Sequence, residues 1–168
     1  HPFGSVPSSD SVGCAEILRR GTFLYDHIYV RQIGIVDGVD IGLGLFAAAP
    51  IPAGTVLGEY TGCLMKRTCE EDGEYGFSLP VIDPDLVVNA LEFGNLCRLI
   101  NHSDSEWNAE LLCVHHEGVM HVVCRTVHEL AKHEQVLIHY GARYWDVESR
   151  RCVPLGPGAD LDYSFQPP

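Results

Sequence analysis

Three short stretches of this chain carry side chains whose types and spacing could do chemistry. Asn95-Leu96-Cys97-Arg98-Leu99-Ile100-Asn101-His102-Ser103 is an apolar run closed by an amide, an imidazole and a hydroxyl, three hydrogen-bonding groups set beside whatever binds there. Glu134-Gln135-Val136-Leu137-Ile138-His139-Tyr140-Gly141 is a short β-like run that presents one tyrosine against a glycine. Gly42-Leu43-Gly44 places two glycines two apart, so the backbone can take positive φ and approach a ligand closely. Taken singly, each has an ordinary explanation: a satisfied Asn–His pair at a turn, a strand tyrosine, a tight hairpin turn. A dinucleotide fingerprint accounts poorly for the glycines, because Ala48-Ala49-Pro50-Ile51-Pro52 stops the helix that such a loop must open. Cys97 with His102 could make a thiol–imidazole nucleophile, but no third orienting group accompanies them and Cys97 lies in an apolar run. His115, His116 and His121 invite a metal. Their spacing across a turn lacks carboxylate or thiolate partners in a zinc pattern, and no metal site is expected.

Composition narrows the partners. A formal charge of −12 over 168 residues disfavours direct nucleic-acid binding, which needs basic patches to neutralise phosphates. It favours a basic partner, since an acidic surface attracts Lys- and Arg-rich peptides, although acidity also serves solubility alone. The seven cysteines (Cys14, Cys63, Cys69, Cys97, Cys113, Cys124, Cys152) are odd in number and form no C-x-x-C pair, which indicates neither a secreted disulfide framework nor a zinc knuckle. An intracellular, reduced protein is expected. No apolar run is long enough to span a membrane and no signal-peptide pattern opens the chain, so no membrane association is expected. A chain that opens on His1 rather than Met is expected to be a piece of a longer protein.

The elements that must position these groups read as many short strands with Gly/Pro turns. Residues 29–35 alternate as a half-buried strand, and residues 55–62 read as a strand ending at Gly62. The acidic turn Glu70-Glu71-Asp72-Gly73-Glu74 leads into Tyr75-Gly76-Phe77, and residues 81–90 make a hairpin around Asp83-Pro84-Asp85. Residues 109–127 make another, turning at His116-Glu117-Gly118. The class is mainly β, with 46% hydrophobic residues to fill a core.

Four blocks stand in a fixed order: Gly42-Leu43-Gly44-Leu45-Phe46-Ala47, Gly58-Glu59-Tyr60-Thr61-Gly62, residues 95–103 and residues 134–141. In order and spacing they resemble the SET domain of protein lysine methyltransferases over residues 29–145, in the compact form of bacterial and viral members without zinc-binding flanking cysteines. The resemblance implies a SET domain at 29–146, with flanks at 1–28 and 147–168. It implies several small curved sheets and a C-terminal segment threaded, pseudoknot fashion, beneath a loop so that residues 95–103 and 134–141 meet. It further implies transfer of a methyl group from S-adenosylmethionine to a lysine side chain of a basic protein, most of all a histone tail. Gly42, Leu43, Gly44, Asn101, His102, Tyr140 and Trp145 would hold the cofactor. Tyr140 would be the catalytic hydroxyl, with Tyr60 and Tyr75 shaping the lysine channel. Tyr75, Phe77, Glu70, Glu71 and Asp72 would meet the substrate. A nuclear location follows, in a host nucleus if the protein is a secreted bacterial effector, with the cytoplasm as the other compartment. Parent-chain domains or partner proteins would complete the substrate wall. The other reading is a non-catalytic SET-like module that binds basic peptides or partner proteins. The chain departs from the family pattern at Cys63, at Asp104 after Ser103 where Cys is common, at Gln135, and at His139, where Asp or Asn usually precedes the tyrosine.

Overall fold

The computed structural model describes residues 25–67, 75–79, 82–146 and 150–157. Strand β1 (Ile28–Gln32) pairs antiparallel with β4 (Leu43–Ala47), Tyr29 opposite Phe46. The strand stops short of Ile35 because Gly34 takes φ +84° and a separate two-stranded hairpin follows, β2 (Ile35–Val36) and β3 (Val39–Asp40). Its Asp37-Gly38 turn has both φ values positive, the conformation whose twist suits a two-residue hairpin.

Strand β5 (Val56–Glu59) joins a three-stranded sheet in the order β10-β11-β5, where β10 is Ala109–His116 and β11 is Val119–Thr126. The hairpin expected at 109–127 forms, turning through Glu117 and Gly118, again both at positive φ. A second three-stranded sheet has β8 (Leu86–Asn89) between β6 (Cys63–Lys66) and β7 (Gly76–Ser78). Here the second strand of the 81–90 region forms, but it pairs with β7 on one side and β6 on the other. Residues 82–85 are the turn, held by the Asp83 carboxylate accepting from the Asp85 amide at 2.9 Å.

The apolar run of the first block is not a strand. Leu96–Leu99 form a 3₁₀ turn, because the Asn95 side chain accepts from the Cys97 amide at 3.1 Å and caps it. The chain leaves this turn into β9 (Asn101–His102), which pairs in parallel with β12 (Leu137–Ile138), Asn101 opposite Leu137 and His102 opposite Ile138. Parallel neighbours need a long connection, and residues 103–136, with the β10–β11 hairpin inside them, supply it. The meeting of residues 95–103 with 134–141, on which the threaded fold turns, is therefore made by backbone pairing. A one-turn helix α1 (Ala142–Trp145) follows.

The core gathers Leu45, Ile51, Leu57, Ala109, Cys124, Leu130, Val136 and Leu137, all essentially without solvent exposure. One buried amide ties its two halves. Asn108 donates to the Gln135 carbonyl at 2.8 Å and accepts from the Leu137 amide at 2.9 Å, while the Leu137 carbonyl accepts from the Asn108 amide at 3.0 Å. No helix among the described residues is long and apolar enough to cross a membrane. Replacing Asn108 with Ala strands a buried N–H and a buried C=O of the 135–137 segment, and should cost about 3 kcal/mol of stability. Urea denaturation should show the midpoint falling with an unchanged slope.

Candidate active site

The β9–β12 junction gathers the polar ends of both blocks. The Asn101 side chain donates to the Leu43 carbonyl at 2.9 Å, clamping the glycine loop to β9. The Tyr140 amide donates to His102 Nδ1 at 3.0 Å, and the Ser103 amide to the Ile138 carbonyl at 3.1 Å. The two glycines serve different physical ends. Gly42 sits at φ +71°, with its amide bonded to the Asp40 carboxylate at 3.0 Å, so it supplies the left-handed turn. Gly44 supplies space: a Cβ there would lie 2.8 Å from Gln135 Nε2 and 3.1 Å from Asn101 Nδ2.

Two cavities adjoin at Tyr140. The larger, about 1120 Å³, is bordered by Gly42, Leu43, Asn101, His102, Tyr140 and Trp145, six of the seven residues expected to hold a cofactor. Gly44 stands behind them against Asn101. The smaller, about 300 Å³, is bordered by Tyr60, Tyr75, Phe77 and Tyr140, the expected channel residues, with Trp107 and Ile138. Its wall is ordered by specific contacts. Tyr60 donates from its hydroxyl to the Tyr75 carbonyl at 2.7 Å and packs its ring 6.4 Å from Phe77. The Tyr140 hydroxyl donates to the Ile100 carbonyl at 2.7 Å, which aims its oxygen at the border between the cavities. Trp145 stacks against Tyr140 at 6.1 Å and lies 4.8 Å from the His102 ring.

Burial governs the acid–base character here. It pushes the Tyr60 and Tyr140 phenols well above their ordinary range, so both stay protonated and act as hydrogen-bonding groups rather than bases. Desolvation holds His102 below the usual imidazole range and therefore neutral, although Asp104 opposes that effect. Burial pushes the Cys97 thiol up to about 12. That thiol is unreactive at neutral pH, and both His102 nitrogens are engaged, by Tyr140 and Asp104, so a Cys97/His102 hydrolase is excluded. His121 bonds to the Glu59 carboxylate at 2.8 Å, which turns Glu59 away from the cavities.

Several lining residues escape a reading by type and spacing. Arg98 borders both cavities, its guanidinium 4.7 Å over the Tyr75 ring. It was visible only as the one charge inside an apolar run. Tyr144, one of the two aromatics that follow Tyr140-Gly141, also borders both, and Glu110 and Trp107 border the smaller with no sequence signal to mark those two. Arg150, Arg151, Val153 and Leu155 of the C-terminal segment close one side of the larger cavity. Arg98 Nε and Trp145 Nε1 are buried N–H donors with no acceptor among the described residues, a fit for a ligand that brings a carboxylate and heteroaromatic nitrogens. Glu70, Glu71 and Asp72 lie outside the described residues.

Residues 42–141 match the SET domain family. The chain is 29% identical over 124 residues to histone-lysine N-methyltransferase ATX2 of Arabidopsis thaliana, a match covering 68% of this chain and 11% of that protein. It is 30% identical over 139 residues to histone-lysine N-methyltransferase 2B of Homo sapiens, covering 77% of this chain and 5% of that one. The chain thus spans a small fraction of the relatives it matches. Its fold is similar to that of ctPRC2 in an autoinhibited conformation bound to S-adenosylmethionine, with a TM-score of 0.61 at 24% identity over 75% of this chain and 16% of that one. With its glycine loop, its β9–β12 junction and its tyrosine all inside the matched span, the chain belongs to the SET domain family.

Proposed function

We propose that this domain transfers a methyl group from S-adenosylmethionine to the side-chain amine of a lysine, and that its substrate is a histone tail met in the nucleus. The observation that carries the reading is the place of Tyr140 between two adjoining cavities, one roomy and bordered by the glycine loop and the Asn101–His102 pair, the other narrow and aromatic. Relatives named as histone-lysine N-methyltransferases and a structural neighbour bound to S-adenosylmethionine support it. The net charge of −12 suits a basic tail.

S-adenosylmethionine supplies an electrophilic methyl group on a sulfonium, which passes in line to a neutral amine and leaves a neutral thioether. The chain's own residues perform the rest. Gly42, Leu43, Asn101, His102 and Trp145 border the space for the cofactor, and Arg98 Nε and Trp145 Nε1 offer it their unused donors. Tyr60, Tyr75 and Phe77 take the alkyl stem of the lysine and hold its head against aromatic faces. The same walls exclude water, which disfavours the ammonium form and favours the neutral nucleophile. Tyr140 keeps its proton on the Ile100 carbonyl and leaves oxygen lone pairs free to polarise C–H donors at the transferring carbon. Alignment of nitrogen and carbon by these fixed walls is the main source of rate.

Incubation of the domain with a histone mixture and isotopically labelled cofactor should give methyl-lysine by mass spectrometry. In Tyr140→Phe the turnover should fall about 100-fold while calorimetric cofactor affinity changes less than about threefold. Label incorporation equal to the native protein in that variant would remove Tyr140 from the mechanism, and no incorporation by the native domain would leave a binding module. Gly44→Ala should do the reverse, weakening cofactor binding about tenfold by displacing Asn101 and Gln135. Reversing charge at Glu70, Glu71 and Asp72 should raise the KM for a basic peptide and leave kcat near native. An unchanged KM would place the acidic turn away from the substrate.

A further inference from the structure

His102, Asp104 and Cys152 bring one ligand atom each within 4.8 Å of one another, and His139 stands beside them. His102 Nε2 is 2.9 Å from Asp104 Oδ1, His139 Nε2 is 3.5 Å from the same oxygen, and Cys152 Sγ is 3.4 Å from Oδ2. Two imidazoles, a carboxylate and a thiol are the makings of a divalent-cation site. The far side of each ring decides otherwise. The Tyr140 amide is 3.0 Å from His102 Nδ1, and the Gly141 amide is 3.1 Å from His139 Nδ1. A backbone amide only donates, so each Nδ1 must offer a lone pair, and in a neutral ring the proton then sits on Nε2. Both Nε2 atoms thus carry the proton, His102 donating to Asp104 and His139 standing 3.5 Å from the same carboxylate, and a metal there would demand either an imidazolate or the loss of the Tyr140 and Gly141 bonds.

We infer that Asp104 is a positioning residue: its carboxylate accepts from His102 Nε2–H opposite the Tyr140 amide on Nδ1, so the two together fix one tautomer and one orientation of the ring that holds the Tyr140 backbone at the border of the cavities. The geometry is consistent on every side. The two imidazoles meet edge-on at 5.2 Å, and His102 lies 5.2 Å from the Tyr140 ring and 4.8 Å from Trp145. Gly141 takes φ +88°, a turn that follows Tyr140 directly and relies on the His139 bond for its amide. Hydrogen bonds from Cys152 and His102 hold the Asp104 carboxyl below the usual carboxylate range, which keeps it an acceptor. Asp104 and His139 are also two of the positions where the chain departs from the family pattern, and here they face each other.

The kinetic consequence rests on the methyl-transfer reading; the tautomer assignment does not, so the two fail separately. Long-range proton–nitrogen correlation spectra of protein labelled at histidine nitrogen should show His102 and His139 with a protonated Nε2 and a bare Nδ1. Asp104→Ala should convert His102 to a mixture of tautomers and lower kcat about tenfold, with the peptide KM within about twofold of native. Asp104→Glu should recover the single tautomer and part of the rate, a rescue that a role confined to packing would not produce. Should Asp104→Ala fold poorly, Asp104→Leu, similar in size and without an acceptor, gives the same readout. A native His102 protonated at Nδ1 would overturn the proposal. So would an Asp104→Ala protein with unchanged spectra and kcat, or stoichiometric Zn²⁺ binding that Cys152→Ser abolishes.

Discussion

Two backbone strands of two residues each hold this site together. Asn101 and His102 pair in parallel with Leu137 and Ile138, thirty-odd positions away, and everything of chemical interest hangs from the ends of that junction. Such a short ladder contributes few hydrogen bonds of its own. It survives because Asn108 bonds to both sides of residue 136 and because Ile100, Val136, Leu137 and Ile138 are buried around it. A buried polar network of this kind is costly to break and therefore specifies one register. A shift of one residue would turn Tyr140 away from the cavities and strand the Asn108 amide.

From the junction outward, the division of labour follows the character of the surroundings. Where backbone groups and short polar side chains converge, at Gly42, Leu43, Asn101 and His102, the cavity is wide and can satisfy a polar ligand. Where aromatic side chains converge, at Tyr60, Tyr75, Phe77 and Tyr140, it is narrow. Burial raises the phenol pKa values and lowers that of His102, so Tyr60, Tyr140 and His102 are neutral at physiological pH.

Four blocks of sequence were enough to show the family, and the reason is physical. The glycine loop uses Gly42 for its positive φ and Gly44 for its lack of a Cβ, since a side chain would strain the first and displace the Ile33, Gln135 and Asn101 side chains at the second. Asn101 and Tyr140 are held by hydrogen bonds that no residue of similar size reproduces. Requirements of this kind leave a mark in type and spacing. The hairpin at 109–127 was legible for a similar reason, since alternation around a glycine turn is a local property.

What only the tertiary structure decided is what depends on distant partners. The run at residues 95–100 was apolar enough for a strand, and a single cap from Asn95 made it a 3₁₀ turn. Arg98, Trp107 and Glu110 border the cavities through the path of the chain, and nothing in their neighbours along the sequence marks them. The cluster of His102, Asp104, His139 and Cys152 joins positions up to fifty apart, and its character as a hydrogen-bonded clamp follows from which amides face the rings. Residue types and local spacing determined the family, because the needs of its glycine loop and its Asn–His and tyrosine blocks are met within a few residues. Through-space packing decided the cavity walls and the tautomers, because these are properties of what a folded chain brings together.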